Sequence, residues 1–326
     1  MSRTWFARGE TGGCLPEGGP DSRVLHWLAA EVVDDAGMLT MTTLGKSIIF
    51  RAAGLFFLLT VAGWGSDSGL RAQTGQAASR PGRRFEEVAR FTAAQARQAV
   101  AVDGSAVYVV EDRVIAKYDK ASGRLLETSQ PVKGLIHLDS AVVVDGRLYC
   151  AHSNYPGLPM TSSVEVWETK SMAHVASHSF GIMWGSCTWI DRYDEAWWAV
   201  FANYSRVFGN SREAYGNTYW TTLVKFDDGW QWQAGWVFPQ EVLERAEPMS
   251  VTGGSWGPDG LLYCTGHDRP EAYVIRLPEA GSILELVETV PLGNAGQGIA
   301  WDRSTPGILY GINRHERQVI SFRLLK

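Results

Sequence analysis

The chain has 326 residues, of which 45% are hydrophobic and 20% charged, so it is long enough to bury a large globular core. Its formal net charge is −5 at pH 7, and no block of like charges stands out. Nucleic acid and an anionic membrane surface are therefore poor candidate partners. Fourteen tryptophans and 35 glycines favour many short strands joined by tight turns.

The first element along the chain is an apolar run at residues 52–64, preceded by Lys46 and Arg51. A positive segment followed by an apolar run of this length is typical of a signal peptide and is short for a membrane span. Since a signal peptide begins near its Met, Met38 or Met41 is the expected start. Residues 1–40 are then upstream sequence from a start codon assigned too early, and residues 41–77 are the signal peptide. An uncleaved anchor is the alternative.

These boundaries predict a mature domain at residues 78–326 that is secreted or periplasmic, with no stable membrane insertion after cleavage. We expect it to be a monomer. Its cysteines are Cys150, Cys187 and Cys264, an odd number. We interpret them as small buried hydrophobic residues rather than as a disulfide or a nucleophile.

A repeat fills the mature domain. Each copy has a strand ending in Asp-Gly or Asp-Arg, a second strand with a central aromatic residue, a loop and further strands. The turn aspartates are Asp103, Asp145, Asp191, Asp259 and Asp302, at spacings of 42, 46, 68 and 43 residues. These spacings suit four-stranded blades, with an insertion in the third copy. The sequence therefore predicts an all-β protein, a five-bladed β-propeller with four-stranded blades; a β-sandwich is the alternative.

The fifth copy ends after its third strand, which would leave an exposed strand edge. Residues 85–91 have no copy of their own and align with the outer strand of the fourth copy, residues 284–288. We therefore predict that this N-terminal strand completes the fifth blade and closes the ring.

The working site is predicted on the face where the inner strands begin and where the loops between second and third strands open. Two of these loops, residues 152–162 and 203–219, are too long to be simple connectors. Ser186, Gly253, Gly254 and Ser255 are assigned to the same face. The opposite face has mainly short turns, which leave little room for a pocket.

Four of the seven histidines map to that face, and histidine suits proton transfer near neutral pH. A single histidine there is more often structural, so the clustering is what indicates a site. The candidate catalytic residues are His137, His152, His267, Asp139 and Arg314, the arginine to stabilise developing negative charge. The candidate substrate-binding residues are Gln98, Asn154, Tyr155, Asn203, Tyr204, Asp268, Gln297, Asn313 and His315.

The sequence contains no metal motif with tight ligand spacing, so no metal centre and no cofactor are predicted. A Ca²⁺ ion in the channel stays open as an alternative, because oxygen ligands could converge there from four residues: Asp139, Asn154, Asn203 and Asp268.

Residues 134–140, 148–156, 195–202 and 253–268 resemble a group of bacterial exported five-bladed propellers carried under the label "cycloisomerase". The resemblance covers nearly all of residues 85–326. A shorter segment, residues 297–302, is similar to the propeller-type glutaminyl cyclotransferases.

The first hypothesis for function is an exported enzyme that acts on a small polar molecule, such as a sugar or lactone, by acid–base proton transfer. The resemblance implies a cycloisomerase-type isomerase. One alternative is a non-catalytic propeller that binds a small ligand or glycan through Tyr155, Tyr204 and Tyr215. The second is an enzyme like the glutaminyl cyclotransferases. The fold alone does not choose among them.

Overall fold

The computed structural model describes residues 82–209 and 211–325. The predicted upstream segment at residues 1–40 and the predicted signal peptide at residues 41–77 therefore lie outside the described residues. Within the described part of the chain, no helix has the length and apolar character needed to cross a membrane.

The described residues form five antiparallel sheets of four strands each. The first strand, β1 (Arg84–Thr92), precedes blade one and joins the last sheet. Blade one contains β2 (Ala99–Val102), β3 (Ala106–Val110), β4 (Ile115–Asp119) and β5 (Leu125–Thr128). Blade two contains β6 (His137–Val144), β7 (Arg147–Ser153), β8 (Ser162–Glu168) and β9 (His174–Gly181).

Blade three contains β10 (Ser186–Tyr193), β11 (Ala196–Ala202), β12 (Thr222–Phe226) and β13 (Trp232–Val237). A 3₁₀ turn (Thr218–Trp220) lies in its insertion, and helix α1 (Gln240–Ala246) leads to the next blade. Blade four contains β14 (Gly253–Trp256), β15 (Leu262–Thr265), β16 (Glu271–Arg276) and β17 (Glu285–Pro291). Blade five contains β18 (Ala300–Trp301), β19 (Ile308–Asn313), β20 (Gln318–Leu325) and β1.

The innermost strands β2, β6, β10, β14 and β18 neighbour one another around a closed ring. The chain is a five-bladed β-propeller, as the repeat predicted. Strands near the axis are covered by blades on both sides, so β11 is buried along its whole length, whereas the outer strand β5 is largely exposed. This arrangement explains why the second strands β3 and β11 are continuous apolar runs.

Ring closure by the N-terminal strand is confirmed. Strand β1 pairs antiparallel with β20 from Arg84 opposite Leu325 to Thr92 opposite Gln318. The Phe85 ring packs within 6.1 Å of the rings of Tyr263 and Trp301, measured between centroids. Because Tyr263 belongs to blade four and Trp301 to blade five, β1 also holds two blades together.

One predicted turn is wrong. The sequence repeat put the first turn of blade three at Asp191-Arg192, but β10 continues to Tyr193. The turn lies at Asp194 and Glu195, which both have positive φ, at 49° and 57°. Asp191 is instead a buried residue inside the strand. Two consecutive positive φ angles make a type I′ hairpin turn, which does not require Asp-Gly.

The three cysteines of the mature domain are buried and form no disulfide among the described residues. Burial raises the pKa of each thiol: Cys150, Cys187 and Cys264. A thiol held in its neutral form is a weak nucleophile, so the interpretation of these residues as small hydrophobic groups is confirmed.

Candidate functional site

A cavity of about 550 Å³ lies at the end of the channel where the inner strands begin, on the predicted face. This volume suits a small-molecule ligand. Nine of the fourteen predicted site residues line it: Gln98, His137, Asp139, Tyr155, Tyr204, His267, Gln297, Arg314 and His315.

His137 is the first residue of β6 and projects into this cavity. Its Nδ1 lies 3.1 Å from Asp112 Oδ1. Burial alone would raise the pKa of Asp112, but hydrogen bonds from His137 and Gln98 outweigh it and lower that pKa. An ionised carboxylate can only accept, so Nδ1 carries the hydrogen. In the neutral ring, Nε2 is then left as a base.

Asp139 lies two residues further along β6 and is buried. Burial raises the pKa of Asp139 well above its usual range, and the charge of Asp112 adds to this effect. Its Oδ1 makes no hydrogen bond to any described residue, and its Oδ2 lies 3.9 Å from His137 Nε2. That separation exceeds a hydrogen bond, so a base and a neutral acid face the same space.

An aromatic wall stands beside this pair. The Tyr155 ring lies 4.9 Å from the His137 ring and 5.4 Å from that of Tyr204, measured between centroids. The blade-three insertion supplies Tyr204 and Phe208, which pack with Met249 in a buried cluster. The long loop therefore fixes the wall that holds the His137 ring in place.

His267 and Arg314 form a second polar unit at the cavity. Arg314 Nη1 lies 3.1 Å from His267 Nε2, and Asp268 Oδ1 accepts from Arg314 Nη2 at 2.8 Å and contacts His267 Nδ1 at 2.7 Å. Burial and the Arg314 charge lower the pKa of His267, which favours a neutral ring. Since a guanidinium only donates, His267 Nε2 is its acceptor. His267 therefore orients Arg314 rather than offering a free base.

Gln297 occupies a strained position in the cavity wall. Its φ is 71°, in the left-handed region that favours glycine. Its backbone is held on both sides, because its N–H donates to Gly266 O and its carbonyl accepts from Thr265 Oγ1. Strain of this kind, about 1–3 kcal/mol, persists where the surroundings enforce it and is common at ligand sites.

His152 lies near His137 but is not among the described residues that line the cavity. It belongs to strand β7 rather than to the loop, so its side chain points to a blade face. Its Nε2 accepts from the backbone N–H of Ile136 at 3.3 Å, and its Nδ1 lies 2.9 Å from Ser163 Oγ. Both nitrogens are engaged, and burial lowers the pKa of His152 to about 4.

Three predicted asparagines stabilise loops instead of lining the cavity. Asn154 bonds Pro159 O and the N–H of Thr161 within its own loop. Asn203 donates to Trp184 O and Trp220 O beside a separate surface groove. Asn313 accepts from the N–H groups of His315 and Glu316. Asp268, the fifth predicted residue outside the lining, sits behind Arg314.

The four oxygen ligands considered for Ca²⁺ do not converge, because Asp139 alone of them is among the described residues lining the cavity. Across the described ranges, no group of three His, Cys, Asp or Glu side chains is arranged to hold a metal ion.

Asp112, Arg97 and Arg317 also line the cavity, and none of them was predicted from the sequence. Asp112 sits between β3 and β4, the blade-one counterpart of the loops considered in blades two to five. The signal was therefore present in the charged triplet at residues 111–113. Arg97 directly precedes the predicted Gln98, and Arg317 follows the predicted turn at residues 313–316.

A second cavity, of about 350 Å³, opens at the opposite end of the channel among the Asp-Gly turns. The expectation that this face has little room for a pocket is thus wrong. Gly254 and Ser255 line this second cavity, not the first one as predicted. The inner strands are short, so β14 already reaches the far end within four residues.

Neither a family model nor a curated protein matches the sequence. Among solved structures, the Myxococcus xanthus glutaminyl cyclase is similar with a TM-score of 0.50 and 10% identity over 74% of this chain and 97% of that one. Hydrazine synthase from Kuenenia stuttgartiensis scores 0.40 at 12% identity over 69% and 70% of the two chains. The RRP9 WD40 repeats score 0.41 at 12% identity over 74% and 100%. The glutaminyl cyclase shares the propeller fold; none of these findings supports the label "cycloisomerase".

Proposed function

We propose that this propeller is an enzyme that moves a proton on a small polar molecule bound in the 550 Å³ cavity. The observation that carries the proposal is the pairing of His137 and Asp139 across 3.9 Å, with Asp112 fixing the tautomer of the histidine. A base and an acid held at one point of a cavity are the parts that general acid–base catalysis requires.

In the proposed reaction, His137 Nε2 removes a proton from the bound molecule. The imidazolium that forms is stabilised by Asp112, whose carboxylate already accepts from Nδ1. Asp139, kept protonated by its burial, donates a proton to the group that gains negative charge. Arg314, held by His267 and Asp268, stabilises negative charge elsewhere on the molecule.

The reaction classes that fit are isomerisation of a sugar or lactone, opening of a lactone by a water molecule from which His137 removes the proton, and cyclisation of an N-terminal glutamine with release of ammonia. The last is included because a glutaminyl cyclase shares the fold, although at 10% identity. All three need a proton removed at one atom and supplied at another. Export with removal of residues 1–77, as expected from the sequence, is part of the proposal, and N-terminal sequencing of exported protein that begins at Met1 would contradict that removal.

The test is a panel of sugars, lactones and N-terminal glutaminyl peptides incubated with the purified chain. Binding is followed by thermal shift and conversion by proton NMR. We expect at least one compound to raise the melting temperature and to be converted to a product. A compound that binds in the cavity but is recovered unchanged from every incubation contradicts the enzymatic proposal.

That contrary result would favour a non-catalytic ligand- or glycan-binding propeller. The aromatic wall of Tyr155 and Tyr204 is the observation behind this second candidate, because flat rings suit the apolar faces of sugars. The two candidates differ at His137: replacement by Gln removes turnover in an enzyme, whereas in a binder it changes affinity alone.

A further inference from the structure

We propose that the molecule handled at this site carries a carboxylate or phosphate group, which binds at the cavity mouth against Arg97, Arg314 and Arg317. Its reacting end then lies at the floor beside His137 and Asp139. This inference rests on the proposed function only in taking the same cavity as the site. It names the substrate class, a small oxyanion-bearing polar molecule, and its orientation.

Charged and uncharged residues occupy different depths of the cavity. The arginine side chains are partly exposed, at 50% for Arg97, 36% for Arg317 and 22% for Arg314. The polar residues that line the floor are almost fully buried: Asp139, Thr252 and Gln297. Fixed positive charge is therefore concentrated at the mouth and uncharged polar groups at the floor.

Each arginine is held by one carboxylate. Arg97 Nε lies 3.3 Å from Asp112 Oδ2, Arg314 Nη2 lies 2.8 Å from Asp268 Oδ1, and Arg317 Nη1 lies 3.9 Å from Glu111 Oε1. These acids restrict the arginine rotamers before any ligand arrives, which lowers the entropy lost on binding. A guanidinium has five N–H donors, so each retains donors for a second, planar oxyanion.

The three acids offset part of the arginine charge, but two of them lie outside the described lining of the cavity. Neither Asp268 nor Glu111 is among the described residues that line it. Asp112 does line it, but its carboxylate is shared by Gln98, His137 and Arg97. Burial favours the neutral form of Asp139, so the floor adds little repulsion to an anion. The described lining thus includes all three arginines but only one of their three carboxylate partners, Asp112.

The experiment is isothermal titration of the purified full chain with matched ligand pairs. Galacturonate is compared with galactose, and galactose 6-phosphate with galactose, so that the two sources of negative charge are separated. Acetate and inorganic phosphate serve as the smallest anions. We expect at least one anionic ligand to bind about tenfold more tightly than its neutral partner, the size of a charge-assisted hydrogen bond.

Two variants locate the contact. Arg97→Gln and Arg317→Gln should each lower the affinity for the anion about tenfold and leave the neutral sugar unaffected. Arg276→Gln is the matched control, because Arg276 also pairs with a carboxylate, Glu285, but lies on the exposed outer part of blade four. An equal loss in the control would mean general surface attraction and would overturn the inference.

Other outcomes separate this inference from the proposed function. Anion binding by a wild-type chain that converts none of the compounds supports the inference and contradicts the enzymatic proposal. Turnover of neutral compounds with no preference for anions contradicts the inference alone. Failure of every anionic ligand to bind up to about 10 mM, a free energy of less than about 3 kcal/mol, also overturns it.

Discussion

The two ends of the propeller channel are built from the same strands but differ in the hydrogen bonding of their buried carboxylates. At the smaller cavity two aspartates, Asp103 and Asp191, are held by several hydrogen bonds. Asp103 accepts from the N–H groups of Ser105 and Ala106 and from the Tyr108 hydroxyl. At the larger cavity Asp139 Oδ1 has no partner among the described residues.

Asp191, at the smaller cavity, forms hydrogen bonds between blades. It belongs to blade three, and its carboxylate accepts from the Trp256 N–H of blade four at 2.8 Å and from Arg303 of blade five at 2.6 Å. One buried carboxylate thus joins three blades. A buried carboxylate with hydrogen-bond partners, such as Asp191, stabilises the ring. A buried carboxylate with an oxygen that is unpartnered within the described ranges, such as Asp139, is available to bind a ligand.

The largest expected effect comes from opening the ring that both cavities share. Deleting residues 84–92 removes the outer strand of blade five and exposes the edge of β20. Because a domain of this kind is stable by only about 5–15 kcal/mol, we expect the deletion to remove most of the cooperative thermal transition. An unchanged melting temperature would contradict ring closure by this strand.

Two substitutions in β1 refine that result. Phe85→Ala should destabilise the domain by about 2–3 kcal/mol, since its ring packs against blades four and five. Val88→Ala, at an exposed position of the same strand, should change stability by about 0.5 kcal/mol or less. Equal effects would mean that pairing alone, and not the packing of Phe85, holds the strand.

The next largest effect is expected at the smaller cavity, where Asp191 joins three blades. Asp191→Ala leaves the buried Trp256 N–H without its acceptor, so we expect a loss of about 2–4 kcal/mol in urea unfolding. Asp145→Asn is the control, because Asp145 lies on the same cavity in a turn with φ 48°, which Asn tolerates. A small effect of Asp191→Ala would contradict the conclusion that its hydrogen bonds stabilise the ring.

His152 provides a pH-dependent prediction. Its pKa is about 4 in the folded chain, whereas an unfolded imidazole takes up a proton near pH 6.5. The unfolded state therefore binds more protons between these values, and stability falls as the pH is lowered from about 6.5 to 4. His152→Gln should remove about 2–3 kcal/mol of this acid sensitivity. Unfolding curves that keep the wild-type pH dependence would contradict the buried position of His152.

The smallest expected effect is that of Asp139, whose contribution to stability changes with pH in the opposite direction to that of His152. The raised pKa of Asp139 means that the folded state keeps a proton that the unfolded state releases above about pH 4. Asp139 therefore lowers stability as the pH rises. Asp139→Asn should leave the domain equally stable at pH 4 and slightly more stable at pH 8. A clear loss of stability at pH 8 would show that the unpartnered oxygen has a structural role.

The fold could be predicted because its signals are local. Turn residues and strand periodicity recur with the repeat, and the strand at residues 85–91 stands out because it belongs to no copy. The turn at Asp191 was misplaced because an Asp-Arg pair inside a strand resembles a turn in sequence. Nothing local reveals that Asp194 and Glu195 adopt positive φ.

The site could be predicted less completely, because it depends on where strands end. His137 and Asp139 were found since they start an inner strand. His152 was assigned to a loop because β7 extends three residues beyond its predicted end at Cys150, which turns its side chain to a blade face. Asp112 was missed because its partners His137 and Arg97 come from other parts of the repeat, a proximity that only the closed ring creates.

The central claim is that His137 moves a proton in the larger cavity. The most direct measurement is the kcat of His137→Gln on whichever compound the wild-type chain converts, with His178→Gln as the control. His178 stacks on Trp230 in the outer part of the ring. We predict that kcat falls about 10²–10⁴-fold in His137→Gln while ligand affinity stays within about threefold, and that the control matches wild type. A kcat unchanged in His137→Gln would contradict the account.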